Sequence, residues 1–320
     1  MSEVLETTAW VVAHAKHVAI DDEVLERFAA ELARERPPLP GWEQRYHFHD
    51  GTKRTVFYLL ILDTLNFCFW PPPGRPKWRV SYQGEELSGY YALATMLKRA
   101  VEEGTLPLEA SALARLSLEE LKRILNGTGE LQLLDRRCEA LNELGYVLEE
   151  RFSGEATALV EAAEGSAVAL ARLLAREFSS FRDQAEYDGK PVYFYKRAQI
   201  FAADLWGAFG GQSWGELEHL EGLTAFADYK LPQALRAVGI LRYSPELATR
   251  IDHQELLPAG SPEEVEIRAA TVQAVERLKA ALAAKGWALK SIELDWLLWN
   301  LSQEERFKQK PYHRTVTIFY

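Results

Sequence analysis

"GSPEEVEIRAATVQAVERLKAAL", residues 260–282, decides the fold class. Ser261 offers a side-chain oxygen to the free amides of a helix start, and Pro262 has the φ of a first helical position. Glu263 and Glu264 suit the positive end of the helix dipole. Val265, Val272, Val275, Leu278 and Leu282 then recur at helical spacing, and Gly286 follows as a stop. The spacing predicts a long helix whose apolar stripe must be covered by other elements.

The same spacing recurs elsewhere. "LARLSLEELKRIL" (113–125) carries Leu113, Leu116, Leu121, Ile124 and Leu125 at helical steps, with Ser117 and Glu120 as a capping box. "TVFYLLILDTLNFCFWPPP" (55–73) is apolar all round from Val56 to Leu62, the pattern of a buried helix, and Asp63 and Asn66 are expected one turn apart on one face of it. "KLPQALRAVGILRYSPEL" (230–247) reads as two short helices joined near Gly239. Extended structure is sparse. "WRVSYQGEEL" (78–87) predicts a hairpin turning at Gln83-Gly84, and "TVTIFY" (315–320) alternates as a last strand. There is no repeat and no linker-like tract, so the expectation is a mainly α fold, one compact helical domain over 1–320 with a small β-hairpin.

Composition narrows the partners. Apolar residues make up 48% and charged residues 26%, the balance of a globular protein with a sizeable core. Net charge is −10, from 37 Lys plus Arg against 47 Asp plus Glu, which opposes binding to a polynucleotide but leaves room for a small anionic ligand. Two cysteines, Cys68 and Cys138, are too few for a disulfide framework and fit a reducing cytoplasm. No signal peptide or membrane span is expected. With neither HExxH nor CxxC, and only His47 and His49 close together, no metal or other cofactor is expected. His47 and Asp50 in "YHFHDG" read as a solvated loop in preference to a pocket lining.

Three constellations can carry chemistry. Asp63, if buried, needs an Arg or backbone amides as partners; otherwise its two oxygens suit the ring N–H and exocyclic amine of a guanine-like base, with Phe67, Phe69 and Trp70 nearby for stacking. In "VYFYKRAQIFAADLWGAF" (192–209), Phe194, Phe201, Leu205 and Ala208 form one stripe, with Lys196, Gln199 and Ala203 opposite. Lys196 either faces solvent or fixes a phosphate or sugar hydroxyl. Asp228, in "LTAFADYKLPQ" (223–233), is either a helix cap or a carboxylate held to orient water against an electron-poor sugar carbon.

Eight stretches in order resemble the queuosine salvage protein family, the queuosine 5'-phosphate N-glycosylases: "DTLNFCFW" (63–70), "LSGYYAL" (87–93), "FYKRAQI" (194–200), "FADYKLPQ" (226–233), "GILRYS" (239–244), "EVEIR" (264–268), "LDWLLW" (294–299) and "PYHRT" (311–315). The first 50 or so residues show much less of it. The resemblance implies a helical fold similar to the helix-hairpin-helix DNA glycosylases, acting on a free nucleotide to release queuine. It makes Asp228 and Lys196 the catalytic pair and places Asp63, Asn66, Phe67 and Trp70 around the base. It assigns Tyr229, Glu266, Arg268, Asp295, Trp299, His313 and Arg314 to substrate binding; from the residues of "PYHRTVTIFY" (311–320) alone, His313 and Arg314 read as a polar rim. A queuine carrier and a nucleic-acid repair glycosylase are the rival readings, the second opposed by the acidic charge.

Overall fold

In the computed structural model, which describes residues 1–320, the long predicted helix runs from Pro262 to Ala284. Ser261 accepts the Glu264 amide, and Gly286 leaves the helix with φ +80°. Burial extends beyond the predicted stripe, because every residue from Glu264 to Val272 is inside. Glu264, Glu266 and Arg268 are therefore core residues.

In chain order the helices are α1 (Ser2–His14), α2 (Asp22–Glu35), α3 (Lys53–Leu65), α4 (Tyr90–Glu102), α5 (Ala110–Leu113), α6 (Leu118–Ile124), α7 (Leu134–Arg151), α8 (Ala156–Glu161), α9 (Ala167–Glu177), α10 (Lys196–Ala208), α11 (Lys230–Ala237), α12 (Pro245–Asp252), α13 (Pro262–Ala284) and α14 (Ser291–Leu301). The strands are β1 (Val18–Ile20), β2 (Arg79–Tyr82), β3 (Glu85–Ser88), β4 (Gln184–Tyr187), β5 (Lys190–Tyr193) and β6 (Leu241–Tyr243), paired antiparallel as β1–β6, β2–β3 and β4–β5. Helix accounts for 54% of the chain and strand for 9%, so the fold is mainly α. No helix is long and apolar enough to cross a membrane.

The β2–β3 hairpin lies where expected. Gln83 (φ 48°) and Gly84 (φ 82°) are both left-handed, as its tight turn requires. The β4–β5 hairpin, turning at Asp188-Gly189 (φ 45° and 75°), has an equally clear Asp-Gly signal that the sequence reading passed over. Residues 315–320 are not a strand. Thr315 and Thr317 are buried on either side of the exposed Val316, but the alternation stops there, no neighbouring strand pairs with the segment, and Arg314 makes the isolated bridge to Leu256 instead. The capping box of Ser117 and Glu120 is present and starts α6, which is separated from α5.

The chain divides into two compact units, each assembled from separate stretches. The first comprises Met1–Gly41, Asp183–Lys196 and His219–Val316. Its core gathers Leu25, Phe28 and Leu32 of α2, Leu235 of α11, Val275 and Leu278 of α13, and Leu298 of α14. The second comprises Trp42–Arg182, Arg197–Glu218 and Thr317–Tyr320. Within it α3 is buried on every face from Thr55 to Leu65, as its unbroken apolar pattern required, and it packs on α4, α7 and α8.

Two local expectations differ from what forms. Helix α3 ends at Leu65, so Asn66 is its C-terminal cap (φ −80°, ψ 70°) and does not continue the helical face of Asp63. The reason is two buried guanidinium groups that take the carbonyls of this end. Arg137 donates to the carbonyls of Leu65, Phe67 and Cys68, and Arg197 donates to those of Asp63 (2.9 Å) and Thr64 (2.5 Å). Helix α10 begins only at Lys196, leaving Phe194 before it, and Gln199 and Ala203 are as buried as Phe201 and Leu205. That segment has no solvent face.

Candidate active site

Leu223 to Tyr229 is a buried stretch with no regular secondary structure, so its peptide groups need partners from elsewhere in the first unit. Asp295, on α14 and 3% exposed, accepts the Phe226 amide at 2.7 Å. Arg268, on α13, donates from Nε to the Ala227 carbonyl at 3.1 Å. Immediately after these two anchors comes Asp228.

Asp228 is a helix cap, as local spacing suggests. Its Oδ1 accepts the Lys230 amide at 2.7 Å and the Leu231 amide at 2.9 Å, closing the start of α11. Both bonds fall on one oxygen and so fix the carboxylate plane while Oδ2 stays clear of the helix end. Burial raises the Asp228 pKa above the ordinary aspartate range, and the positive charge of Lys196 is the strongest influence in the other direction. A carboxylate held by a fixed dipole and a nearby cation, with burial raising its proton affinity, suits general-base and electrostatic work.

Lys196 is 6% exposed, so the solvent-facing reading does not hold. It stands at the first position of α10, where a cation opposes the helix dipole. The tertiary structure holds it there against that local preference, through its own amide, which donates to Asp183 Oδ2 at 3.0 Å.

The other residues singled out in this unit have varied surroundings. Arg268 forks onto Asp183 (2.8 and 2.6 Å) and lies 3.9 Å from the Phe194 ring centroid. Glu266 is wholly buried and accepts the amides of Lys16 (3.1 Å), His17 (2.7 Å) and Val18 (3.0 Å) together with the Tyr187 hydroxyl (2.8 Å). Those four donors occupy both oxygens, so this carboxylate ties β1 and β4 to α13. Trp299 packs, half-buried, against the core. The Tyr229 ring packs tilted against that of Tyr312, with centroids 4.9 Å apart, and Lys230 Nζ lies 5.2 Å from the same Tyr312 ring. His313 is 2% exposed, and burial, with Arg268 nearby, lowers its pKa to about 3, so it is a neutral interior group and not part of a rim. Arg314 is half-buried, and its carbonyl accepts the Leu257 amide at 2.8 Å.

In the second unit Asp63 is fully buried, and Asn66, Phe67 and Trp70 are nearly so. The Phe67 ring lies under two cations, with Arg137 4.1 Å and Arg197 5.1 Å from its centroid. Burial, together with the negative charges of Asp63 and Asp204, pushes the hydroxyls of Tyr58 and Tyr90 well above their usual range. His47 is 4% exposed, so "YHFHDG" is not a solvated loop at this point. Its pKa falls to about 4 through burial; with Nδ1–H donating to the Glu43 carbonyl (2.6 Å), Nε2 accepts from the Tyr90 hydroxyl (2.9 Å). Tyr90 Oη lies 3.4 Å from Asp204 Oδ2. Asp50 accepts from Thr52 and Thr55 at the start of α3.

Sequence reasoning missed Asp183, Tyr90 and Asp204. Tyr90 lies inside a quoted motif, "LSGYYAL", and was available there. Asp183 belongs to no motif, and its partners are 13 and 85 residues away in sequence.

Comparison with known proteins agrees with the motif reading. A family model described as queuosine salvage protein matches residues 46–320. The chain is 48% identical over 317 residues to a queuosine 5'-phosphate N-glycosylase/hydrolase of Sphaerobacter thermophilus, covering 99% of this chain and 97% of that protein. Proteins carrying the same description are 36% identical in Dictyostelium discoideum (99% and 98% covered) and 35% identical in Mus musculus (98% of both). By motif order, full-length identity and family match, the chain belongs to the queuosine salvage protein family.

Proposed function

We propose that the chain hydrolyses the N-glycosidic bond of queuosine 5'-phosphate and releases queuine for tRNA modification, with Asp228 as the catalytic carboxylate. The observation that carries this reading is the geometry of Asp228: buried, influenced by Lys196, and bonded to the start of α11 through Oδ1 alone. Relatives described as N-glycosylase/hydrolases of this nucleotide, up to 48% identical over nearly the whole chain, support it.

In the reaction, oxygen from water bonds to the anomeric carbon as the carbon–nitrogen bond breaks. The bond's electron pair leaves with the base, and a proton from water ends on the base. Positive charge builds on the sugar, and a fixed carboxylate stabilises it while orienting the water and taking its proton. Asp228 fills that role. Lys196 holds the ribose or phosphate side and tempers the proton affinity of Asp228. Queuine is a 7-deazapurine and lacks the ring nitrogen that purine hydrolases protonate, so the departing base is stabilised through its other edges.

For Asp63 and Asn66 the proposed role is base recognition, as their motif implies, supported by the full burial of the Asp63 carboxyl. Asp63→Asn then weakens queuine binding by about 10-fold or more, the size of a lost charge-assisted hydrogen bond; an unchanged dissociation constant on titration removes this assignment. Residues 1–320 act as one functional domain in this reading, supported by the interleaving of three separate stretches in each unit. The likeness to helix-hairpin-helix DNA glycosylases belongs to the proposal too, with α11 and α12 joined through Gly239 (φ 87°) in its favour. So does a cytoplasmic setting, with two free buried cysteines in its favour.

The experiment is incubation of purified protein with queuosine 5'-phosphate, following free queuine by chromatography and mass. Release supports hydrolysis; queuine binding without release marks a carrier.

A further inference from the structure

We propose that Asp183 is a positioning residue for the hydrolysis, holding the Lys196 and Asp228 segments in register from one buried carboxylate. The proposal rests on the assignment of Asp228 and Lys196 made above.

Five hydrogen bonds converge on Asp183, which is 1% exposed. Its main-chain carbonyl accepts the amides of Phe194 (3.1 Å) and Tyr195 (3.0 Å), and its Oδ2 accepts the next amide, that of Lys196 (3.0 Å). Three successive peptide groups leading into α10 are thus fixed by one residue. The Arg268 guanidinium adds a two-pronged bond to the same carboxylate, at 2.8 Å to Oδ1 and 2.6 Å to Oδ2. The third N–H of that guanidinium, on Nε, goes to the Ala227 carbonyl next to Asp228. A short path runs from the Lys196 amide through Asp183 and Arg268 to the peptide that carries Asp228.

The backbone gives independent support. Tyr195, directly before Lys196, has φ +50°, a left-handed conformation that is costly for a bulky aromatic residue and is retained only where surrounding bonds enforce it. The Asp183 carbonyl supplies such a bond, to the Tyr195 amide. Local cost at the peptide that sets the start of α10 marks the placement of Lys196 as enforced.

The chemistry of Asp183 also makes the role specific. A carboxylate offers acceptors to all three side-chain-directed N–H groups. An isosteric amide turns its own N–H toward one of them, which loosens either the Lys196 amide or the Arg268 fork. Displacements of this kind in a positioned reaction cost turnover more than ground-state binding.

The test measures queuine release from queuosine 5'-phosphate by the parent, Asp183→Asn, Arg268→Lys and Asp228→Asn side by side, below the melting transition of each. Arg268→Lys retains a cation opposite Asp183 but deletes the Nε donor to Ala227, so it carries the test if Asp183→Asn does not fold. The expected result is a kcat lowered about 10-fold or more in both positioning variants, with KM within about three-fold of the parent. Parental kcat in folded Asp183→Asn or Arg268→Lys, with only a lower melting temperature, overturns the proposal and leaves a purely structural ion pair. Parental kcat in Asp228→Asn instead overturns the underlying catalytic assignment, and the two failures are told apart in one data set.

Discussion

Asp228 and Glu266 lie in the same unit, are both buried and both carry a carboxyl group, yet they use their oxygens in opposite ways. Glu266 takes three backbone amides and a tyrosine hydroxyl across both oxygens. Asp228 takes two amides on one oxygen. The Glu266 charge is compensated on every side and works as a clamp between β1, β4 and α13. Burial raises the Asp228 pKa, and a lysine partly offsets that rise. A carboxylate satisfied throughout has nothing left for a substrate, whereas one held rigidly at one oxygen is oriented and still reactive.

That contrast breaks first on turnover. Asp228→Asn keeps an acceptor for the α11 amides and loses the charge, so kcat falls by about 100- to 1,000-fold, as for the loss of one positioned electrostatic group, while substrate affinity changes little. Single-turnover queuine release measures it, and a parental rate ends the distinction between the two carboxylates. Glu266→Ala, by contrast, leaves the buried Val18 amide, the part-buried Lys16 and His17 amides and the Tyr187 hydroxyl without their acceptor and costs about 2–3 kcal/mol of stability, at about 1–3 kcal/mol for a fully buried group and less for one that water can reach. Urea unfolding followed by circular dichroism reads this. A parental unfolding midpoint with lost turnover would move Glu266 from the clamp to the reacting groups.

Acid sharpens the comparison through a third interior group. The ordinary His313 pKa of 6.5 falls to about 3 in the folded protein. The unfolded chain takes up a proton that the folded chain refuses, so stability falls as pH drops through 6.5 and continues to fall until about 3. Between pH 6.5 and about pH 5 this one group removes about 2 kcal/mol, and His313→Gln flattens the unfolding curve over that range by that amount. An unchanged slope would show that His313 is solvated and titrates normally.

The smallest effect concerns the lysine. In the proposed mechanism Asp228 acts ionised, and its raised pKa then places the acid limb of kcat/KM above that of an ordinary aspartate. Removing the Lys196 charge raises the Asp228 pKa further, so the limb of Lys196→Met moves to higher pH. A limb that stays in place would separate the two residues. If Lys196 holds the phosphate side, the same variant loses more activity on the 5'-phosphate than on the free nucleoside.

Legibility differed by kind of feature. Ser261, Pro262 and the stripe to Leu282 announced α13 because capping and helical spacing are local, and Gln83-Gly84 announced a hairpin for the same reason. Local rules also made Asp228 a cap, correctly, but could not say that its second oxygen would be left clear of the helix end. Spacing alone left a solvent-facing Lys196 open because the helical wheel assumed a surface helix, and α10 is buried all round. "TVTIFY" alternated like a strand without a partner strand to pair with, and Asn66 ended α3 because Arg137, 71 residues further on, takes the carbonyls there. The interior position of His313 and the four donors on Glu266 depend on contacts across more than 40 residues of chain.

The sequence by itself determined the helix-rich class, the main caps and turns, the acidic surface and, through eight ordered motifs, the family, because each is written in neighbouring residues or in their order. Tertiary structure alone decided which charges are compensated. Whether a buried carboxylate is a clamp or an oriented reactive group depends on which distant amides and cations reach its two oxygens, and those partners meet only when the chain folds.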